Sequence, residues 1–326
     1  MPEIDKNAML NNRDDIHYRM TICMQKHSAV IMDYSYHITS LENAADSLRI
    51  AYVDEQPASH LKGVIVLIHG FPQTSYQYRK VIGPLVSAGY RVVVPDYRGA
   101  GLSSKPDSDF RKTTMANDMI LLLDYLKITD PVHIVGHDIG GMIAYAFATR
   151  HADRTASLVW GECPLPGTTA HEEDRTTHGV QQFHFLFHSV PDLPEALVSG
   201  REEIYLSHFF DKISHRRLAI SKADLDHYVE MYSRPGALRC AFGVYRAFLT
   251  DARENREWIE QHGKCKVKSL GLSGGEGRHK ETALEMFEEV HEEGSVQIAE
   301  VPGSGHYVAE ENPDGFVQAI LSFIKQ

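Results

Sequence analysis

An aspartate set among glycines carries the first chemical hint. In Val135-Gly136-His137-Asp138-Ile139-Gly140-Gly141 a β-branched run ends and a helical segment begins, with small residues on both sides of Asp138. Such a turn lifts its central side chain above a sheet at a helix N-terminus, the geometry of a nucleophile elbow. An aspartate there could also do no more than cap the helix, but two further runs give it chemical company. His69-Gly70-Phe71-Pro72 follows the apolar run Val64–Ile68, where a backbone amide can face the nucleophile. The amides of Phe71 and Ile139 are therefore the expected oxyanion hole, with His69 and Pro72 shaping the loop. Gly303-Ser304-Gly305-His306-Tyr307 precedes the last helical stretch and makes His306 the expected general base. A fourth run, Asp96-Tyr97-Arg98-Gly99-Ala100-Gly101-Leu102-Ser103, reads as a structural turn.

The residue type at the elbow selects the reaction. A serine that attacked a saturated carbon would leave an ether, which an imidazole-activated water could not open. An aspartate leaves an alkyl ester whose carbonyl belongs to the enzyme. Water activated by His306 can attack that carbonyl while two amides hold the oxyanion. Asp138 therefore points to an electrophilic sp³ carbon, in a strained epoxide or a carbon–halogen bond, and away from ordinary esters and peptides.

These groups need a scaffold that brings distant turns to one edge. Alternating stretches around Tyr34–Thr39 and Leu48–Val53 predict an antiparallel hairpin. Short β-branched runs then recur at Gly63–Ile68, Arg91–Pro95, Val132–Val135 and Ser157–Trp160, separated by helical pieces near Tyr76–Ser87, Thr114–Leu126 and Gly140–Arg150. Strand–helix alternation with continuous apolar strands predicts an α/β fold, a mostly parallel eight-stranded sheet covered on both faces. Between roughly Leu165 and Thr250 the rhythm breaks into aromatic- and histidine-rich helical sequence, an inserted cap of about four helices. Alternation resumes at Val267–Leu272, Glu281–Val290, Ser295–Val301 and Ala309–Ile324. The expected division is an N-terminal arm over 1–33, core over 34–165, cap over 166–250 and core again over 251–326. A cap so placed lies over the carboxyl ends of the strands, where open α/β sheets bind ligands.

From about residue 34 onward the chain resembles the α/β-hydrolase superfamily, and HGFP with GHDIGG is similar to its epoxide hydrolase and dehalogenase branch. The resemblance implies a carboxylate that orients His306. Most relatives carry it after the strand that follows the cap, where this chain reads Leu272-Ser273-Gly274-Gly275-Glu276-Gly277, without aspartate. The other known place follows the strand before the cap, Trp160-Gly161-Glu162-Cys163-Pro164. The inhibitory-factor (Cif) type of epoxide hydrolase similarly has Glu-Ala-Pro there. Glu162 is thus the expected acid, with Glu276 the alternative.

Epoxide hydrolases also use two cap groups to protonate the epoxide oxygen, usually tyrosines. The Cif type has histidine for the first, and this chain looks like it, with His184 in Gln182-Phe183-His184-Phe185 and Tyr245 in Val244-Tyr245-Arg246. An aromatic-flanked histidine can equally be a core residue, and Tyr205, Tyr228 and Tyr232 compete with Tyr245. A halide would instead need N–H donors, commonly tryptophan, and the chain has only Trp160 and Trp258. Fluoroacetate dehalogenases carry arginines shortly after the nucleophile, where this chain has Ile139, Gly140, Gly141 and Met142. The expected activity is opening of a lipophilic epoxide to a vicinal diol. The alternatives are a hydrolytic dehalogenase and a non-catalytic ligand-binding protein on the same fold.

Composition narrows the partners. Thirty-three basic residues against 44 acidic ones give a net charge of −11, which disfavours nucleic acid and anionic membrane surfaces. The N-terminus shows no basic-then-apolar leader and no apolar run spans a bilayer, so a soluble, cytoplasmic protein is expected. Cys23, Cys163, Cys240 and Cys265 are scattered, and the nineteen histidines include no HExxH. Free thiols, no metal and no organic cofactor are expected, with an apolar small molecule as partner and a homodimer as an open option.

Overall fold

The protein is described by a computed structural model over residues 34–42 and 47–325; the arm expected over 1–33, Cys23 included, lies outside the described residues. Eight strands form one sheet: β1 (Tyr36–Glu42), β2 (Ser47–Glu55), β3 (Gly63–Ile68), β4 (Tyr90–Pro95), β5 (Val132–His137), β6 (Thr155–Gly161), β7 (Ser269–Gly274) and β8 (Val296–Val301). Their order across the sheet is β1-β2-β4-β3-β5-β6-β7-β8. The β1–β2 hairpin and the β2–β4 pair are antiparallel, and every pairing from β4 to β8 is parallel. This is the α/β architecture expected from the alternation.

Burial on both faces explains why the central strands read as unbroken apolar runs. In β3, Val64, Val66 and Ile68 pack with α2 (Lys112–Tyr125) and α3 (Ile139–Arg150), through residues such as Leu122 and Ile143. Ile65 and Leu67 point the other way, into a layer with α1 (Ile82–Ser87), where Leu85 meets Ile320 and Phe316 near the C-terminus. Successive side chains on a strand alternate faces, so one sequence run feeds two cores.

Two expected helices are interrupted. Tyr76–Ser87 divides into a 3₁₀ turn, Ser75–Tyr78, and α1, whose first turn contains Pro84. Proline lacks the N–H an interior turn requires, so a helix restarts just before it. Ala309–Ile324 divides for the same reason at Pro313, which opens the last helix while the Asn312 side chain caps Gly315 N.

Between β6 and β7 the insertion holds seven α-helices rather than about four: α4 (Thr169–Arg175), α5 (Phe183–Phe187), α6 (Leu193–Val198), α7 (Glu202–Ile213), α8 (Lys222–Tyr232), α9 (Ala237–Arg246) and α10 (Phe248–His262). The expected boundary at residue 250 falls inside α10. Helices of five and six residues are too short for a 3.6-residue period to register. After β7 follow α11 (Lys280–Val290), α12 (Val308–Glu311) and α13 (Pro313–Ile324). Among the described residues no helix is long and apolar enough to cross a membrane. The turns after β3, β5, β6 and β8 carry Phe71, Asp138, Glu162 and His306, so the parallel register brings all four to one edge.

Candidate active site

Asp138 sits between β5 and α3 with φ 54° and ψ −124°, a backbone conformation that non-glycine residues rarely adopt. Close backbone packing holds it there. A Cβ on Gly140 would lie 2.0 Å from the Ile68 carbonyl oxygen, and one on Gly70 would lie 2.4 Å from the Cβ of Asp138. With glycine at both places, the loop after β3 closes onto the elbow. The Phe71 amide then donates to Asp138 Oδ1 at 2.8 Å, and the Ile139 amide at the start of α3 adds to the stabilisation of the same carboxylate's charge. The two amides expected to form an oxyanion hole thus converge on one side chain. His69 shapes this loop from beneath: its ring stacks on Tyr97 at 4.2 Å and its Nδ1 lies 3.0 Å from the Gly70 carbonyl oxygen. Asp96 accepts from the amides of Ser75 and Leu102 at 2.8 Å each, which ties the following turn together.

His306 faces the elbow from the turn after β8. Its Nε2 is 4.0 Å from Asp138 Oδ2, too far for a hydrogen bond, so the carboxylate is not tied up by the imidazole. Its Nδ1 is 3.1 Å from Glu162 Oε2. Glu162, 2% exposed, accepts from Gly274 N at 2.8 Å through its other oxygen. It too has a positive φ, 57°, which turns its side chain from the end of β6 toward β7 and β8. Glu276, the alternative acid, is exposed to solvent.

Burial and charge set the protonation states. Burial raises the pKa of Asp138, opposed by the nearby His306 and by the amides of Ile139 and Phe71. For His306 burial alone would lower the pKa, but the Glu162 hydrogen bond and charge, with Asp138 beyond, outweigh it and raise the value above 6.5. The carboxylate is largely shielded, its side chain 15% exposed, and the imidazole is made more basic, an arrangement suited to nucleophilic attack followed by proton abstraction.

The cap faces this edge with rings. Phe71 meets Tyr245, Phe209, Tyr232 and His188 edge-on, at centroid distances from 5.2 to 5.7 Å. His184 and Tyr245, expected as a pair, stand 5.6 Å apart at 77°. Burial, then the charge of Asp138, pushes the Tyr245 hydroxyl well above its ordinary pKa, and burial pushes His184 down to about 3. Both are neutral at working pH. The buried Nδ1 of His184 has no hydrogen-bond partner. The competing tyrosines are engaged elsewhere: Tyr228 donates to Glu310 at 2.7 Å, Tyr232 to the Gln73 carbonyl at 3.1 Å, and Tyr205 lies 2.6 Å from His188 Nε2. Trp160 is fully buried in β6 and donates its indole N–H to His291 Nε2, while Trp258 stacks on His262. Cys163, Cys240 and Cys265 are buried free thiols.

Several residues around the site escaped the sequence reading. His137, taken only as part of the elbow, lies 2.7 Å from the His306 carbonyl oxygen through its Nε2. The His306 amide donates to the carbonyl of Ile213, at the end of α7 in the cap. Glu311 accepts from the amides of Gly305 and Tyr307 on either side of His306, and from Arg216 N in the cap at 2.7 Å. Glu310, likewise buried, pairs with Arg79 at 2.6 Å, and Arg79 reaches Asp224 of α8 at 2.8 Å. Two adjacent glutamates ordinarily read as a solvated helix face. Their position directly after Gly305-His306-Tyr307-Val308-Ala309, among small and apolar residues, was the available signal. His279 was also overlooked; its ring lies 6.2 Å from that of His306.

Residues 63–181 match the α/β hydrolase fold family. The soluble epoxide hydrolase of Corynebacterium sp. (strain C12) is 32% identical over 263 residues, covering 79% of this chain and 89% of that protein. Among solved structures, Cfl2 from Burkholderia cenocepacia superposes with a TM-score of 0.81 at 29% identity, covering 91% of this chain and 98% of Cfl2. The Cif epoxide hydrolase from Acinetobacter nosocomialis gives a TM-score of 0.79 over 88% of each chain; at 21% identity that likeness is one of fold.

Proposed function

The chain belongs to the epoxide hydrolase branch of the α/β-hydrolase family and is a hydrolase, and from that premise we propose that it opens a lipophilic epoxide to a vicinal diol through an ester on Asp138. One observation carries this reading. A largely shielded carboxylate accepts from the Phe71 amide at a strained elbow, with an imidazole 4.0 Å away that is not bonded to it and whose far nitrogen rests on a buried glutamate.

Asp138 attacks a ring carbon, the C–O bond breaks, and the epoxide oxygen takes a proton from Tyr245 or His184. The charge on Asp138 makes phenolate formation at Tyr245 unfavourable in the resting site. Esterification removes that charge, so the hydroxyl becomes a better acid as its proton is needed. His306 then takes a proton from water, which adds to the ester carbonyl while the amides of Phe71 and Ile139 hold the oxyanion. Glu162 keeps the His306 proton on Nδ1 and stabilises the imidazolium. Collapse breaks the acyl bond, and the proton of the added hydroxyl passes to the departing diol oxygen as the carboxylate is restored. The proton held on His306 returns through solvent to the cap donor, and no step calls for a metal or organic cofactor. The aromatic rings that meet around Phe71 favour an apolar substrate. No indole N–H is aimed at Asp138 to hold a halide, since the Trp160 N–H is spent on His291 and Trp258 lies on α10.

A single turnover in heavy-oxygen water tests the proposal. The first diol should carry no solvent label, because its new oxygen comes from the Asp138 carboxylate, and the label should appear in residue 138. A labelled first-turnover diol with an unlabelled Asp138 would reject the ester.

A further inference from the structure

Beside Glu162 a crevice of about 20 Å³ lies between α4 and α11, lined by Glu162, Cys163, Ser273, His279, Asp174 and Arg278. It is large enough for one water or ion. Its lining also carries exposed Glu173, while Asp174 is paired with Arg278. Two of its lining residues, Glu162 and His279, and His306 beside Glu162 each offer one ligand atom, and the three atoms lie within 4.8 Å of one another. We propose that these residues form an inhibitory site for a zinc-class divalent cation, which stops the proposed reaction after the ester has formed; the inhibition, unlike the site, rests on the function proposed above.

Two imidazoles and a carboxylate are a ligand set that zinc and cobalt accept and that magnesium and calcium, which prefer oxygen, do not. Glu162 Oε2 and His306 Nδ1 are 3.1 Å apart, close to the roughly 3.3 Å between two ligands on a tetrahedral zinc with bonds near 2.0 Å. His279, partly exposed at the start of α11, closes the set with a movement of about an ångström or more, and water fills the fourth position.

The consequence follows from the imidazole tautomer. Neutral His306 carries its proton on Nδ1, toward Glu162, and presents a lone pair on Nε2 toward Asp138. A cation on Nδ1 leaves the single remaining proton only Nε2 to occupy. No proton leaves the ring; it changes nitrogen, and the base becomes a donor. Asp138, its two amides, Tyr245 and His184 are untouched. The first half-reaction still runs once and the second cannot.

The test uses the full chain with zinc chloride, cobalt(II) chloride and styrene oxide as probes. Without substrate, cobalt should give the visible absorption of a tetrahedral ion at one equivalent, and His279→Phe should abolish it. With styrene oxide, zinc should halt turnover and leave one equivalent of ester on Asp138 by intact mass; chelation should restore turnover, and magnesium should have no effect. Relative to its own metal-free rate, His279→Phe should need at least about tenfold more zinc, a loss that even an outer-shell partner of a metal site can cause. His279→Gln, nearer in size and polarity, should behave alike and stands in if the first variant fails to fold. Equal zinc sensitivity in both variants, inhibition without ester, or a cobalt band that ignores residue 279 would each overturn the inference. If no epoxide alkylates Asp138 at all, the functional reading falls while the cobalt titration still decides the site.

Discussion

The two halves of the site are built on different principles. On the core side, Asp138 holds the Phe71 amide, Glu162 holds Gly274 N and His306, and His306 is gripped through its ring, its carbonyl and its amide. On the cap side, His184 and Tyr245 are placed by ring edges: Tyr245 against His188 at 4.4 Å and Phe71 at 5.7 Å, His184 against Phe209 at 5.1 Å. Directional bonds fix atoms to fractions of an ångström, as attack and proton abstraction require. Edge-on rings define a shape and leave polar tips uncommitted, which suits groups that must meet an oxygen carried in by the substrate.

Substitutions can break that contrast. His306→Gln should have the largest effect, lowering turnover by about 10⁴- to 10⁶-fold, as loss of the base does in hydrolytic triads. Alkylation should persist, so the Asp138 ester should appear by intact mass, and a variant that keeps turning over would reject His306 as base. Glu162→Gln should cost about 10⁴-fold, the scale of losing the orienting acid, against little change for exposed Glu276→Gln. The reverse ranking would move the acid to the loop after β7. The same substitution should shift the acid limb of the hydrolysis rate. Glu162 raises the His306 pKa, so in the wild type base activity is lost as pH falls through a value above 6.5, and that midpoint should fall in Glu162→Gln.

The cap pair should matter less. His184→Phe with Tyr245→Phe should slow ester formation by about 10²- to 10⁴-fold, the range of general acid catalysis, and leave ester hydrolysis nearly unchanged. Stopped-flow alkylation rates measure the first and decay of preformed ester the second. An equal loss in both steps would show that the rings also organise the core side.

The same division decided what could be read from the sequence. The core turns are legible because steric rules dictate their residues: only glycine at 70 and 140 permits the close approach that the elbow needs. Glu162 was legible only through the resemblance, which places an orienting acid after the strand before the cap, where this chain reads Gly161-Glu162-Cys163-Pro164. The cap was legible as an interruption but not as seven helices, because α5 and α6 are shorter than two turns and aromatics occupy several faces of α5. Glu310, Glu311 and His137 were missed because their roles depend on partners as distant as Arg79, Arg216 and His306. No local periodicity announces such partners, and only the closed sheet brings them together.

The peptide of His306 is a joint between two building blocks, since its amide bonds Ile213 and its flanking amides bond a glutamate that also holds Arg216. The cap is therefore not a detachable module. A chimera that grafts a foreign cap onto this core would inherit an intact Asp138 elbow and an unmoored His306. To hydrolyse as well as alkylate, its designer would have to rebuild an acceptor where the Ile213 carbonyl now stands.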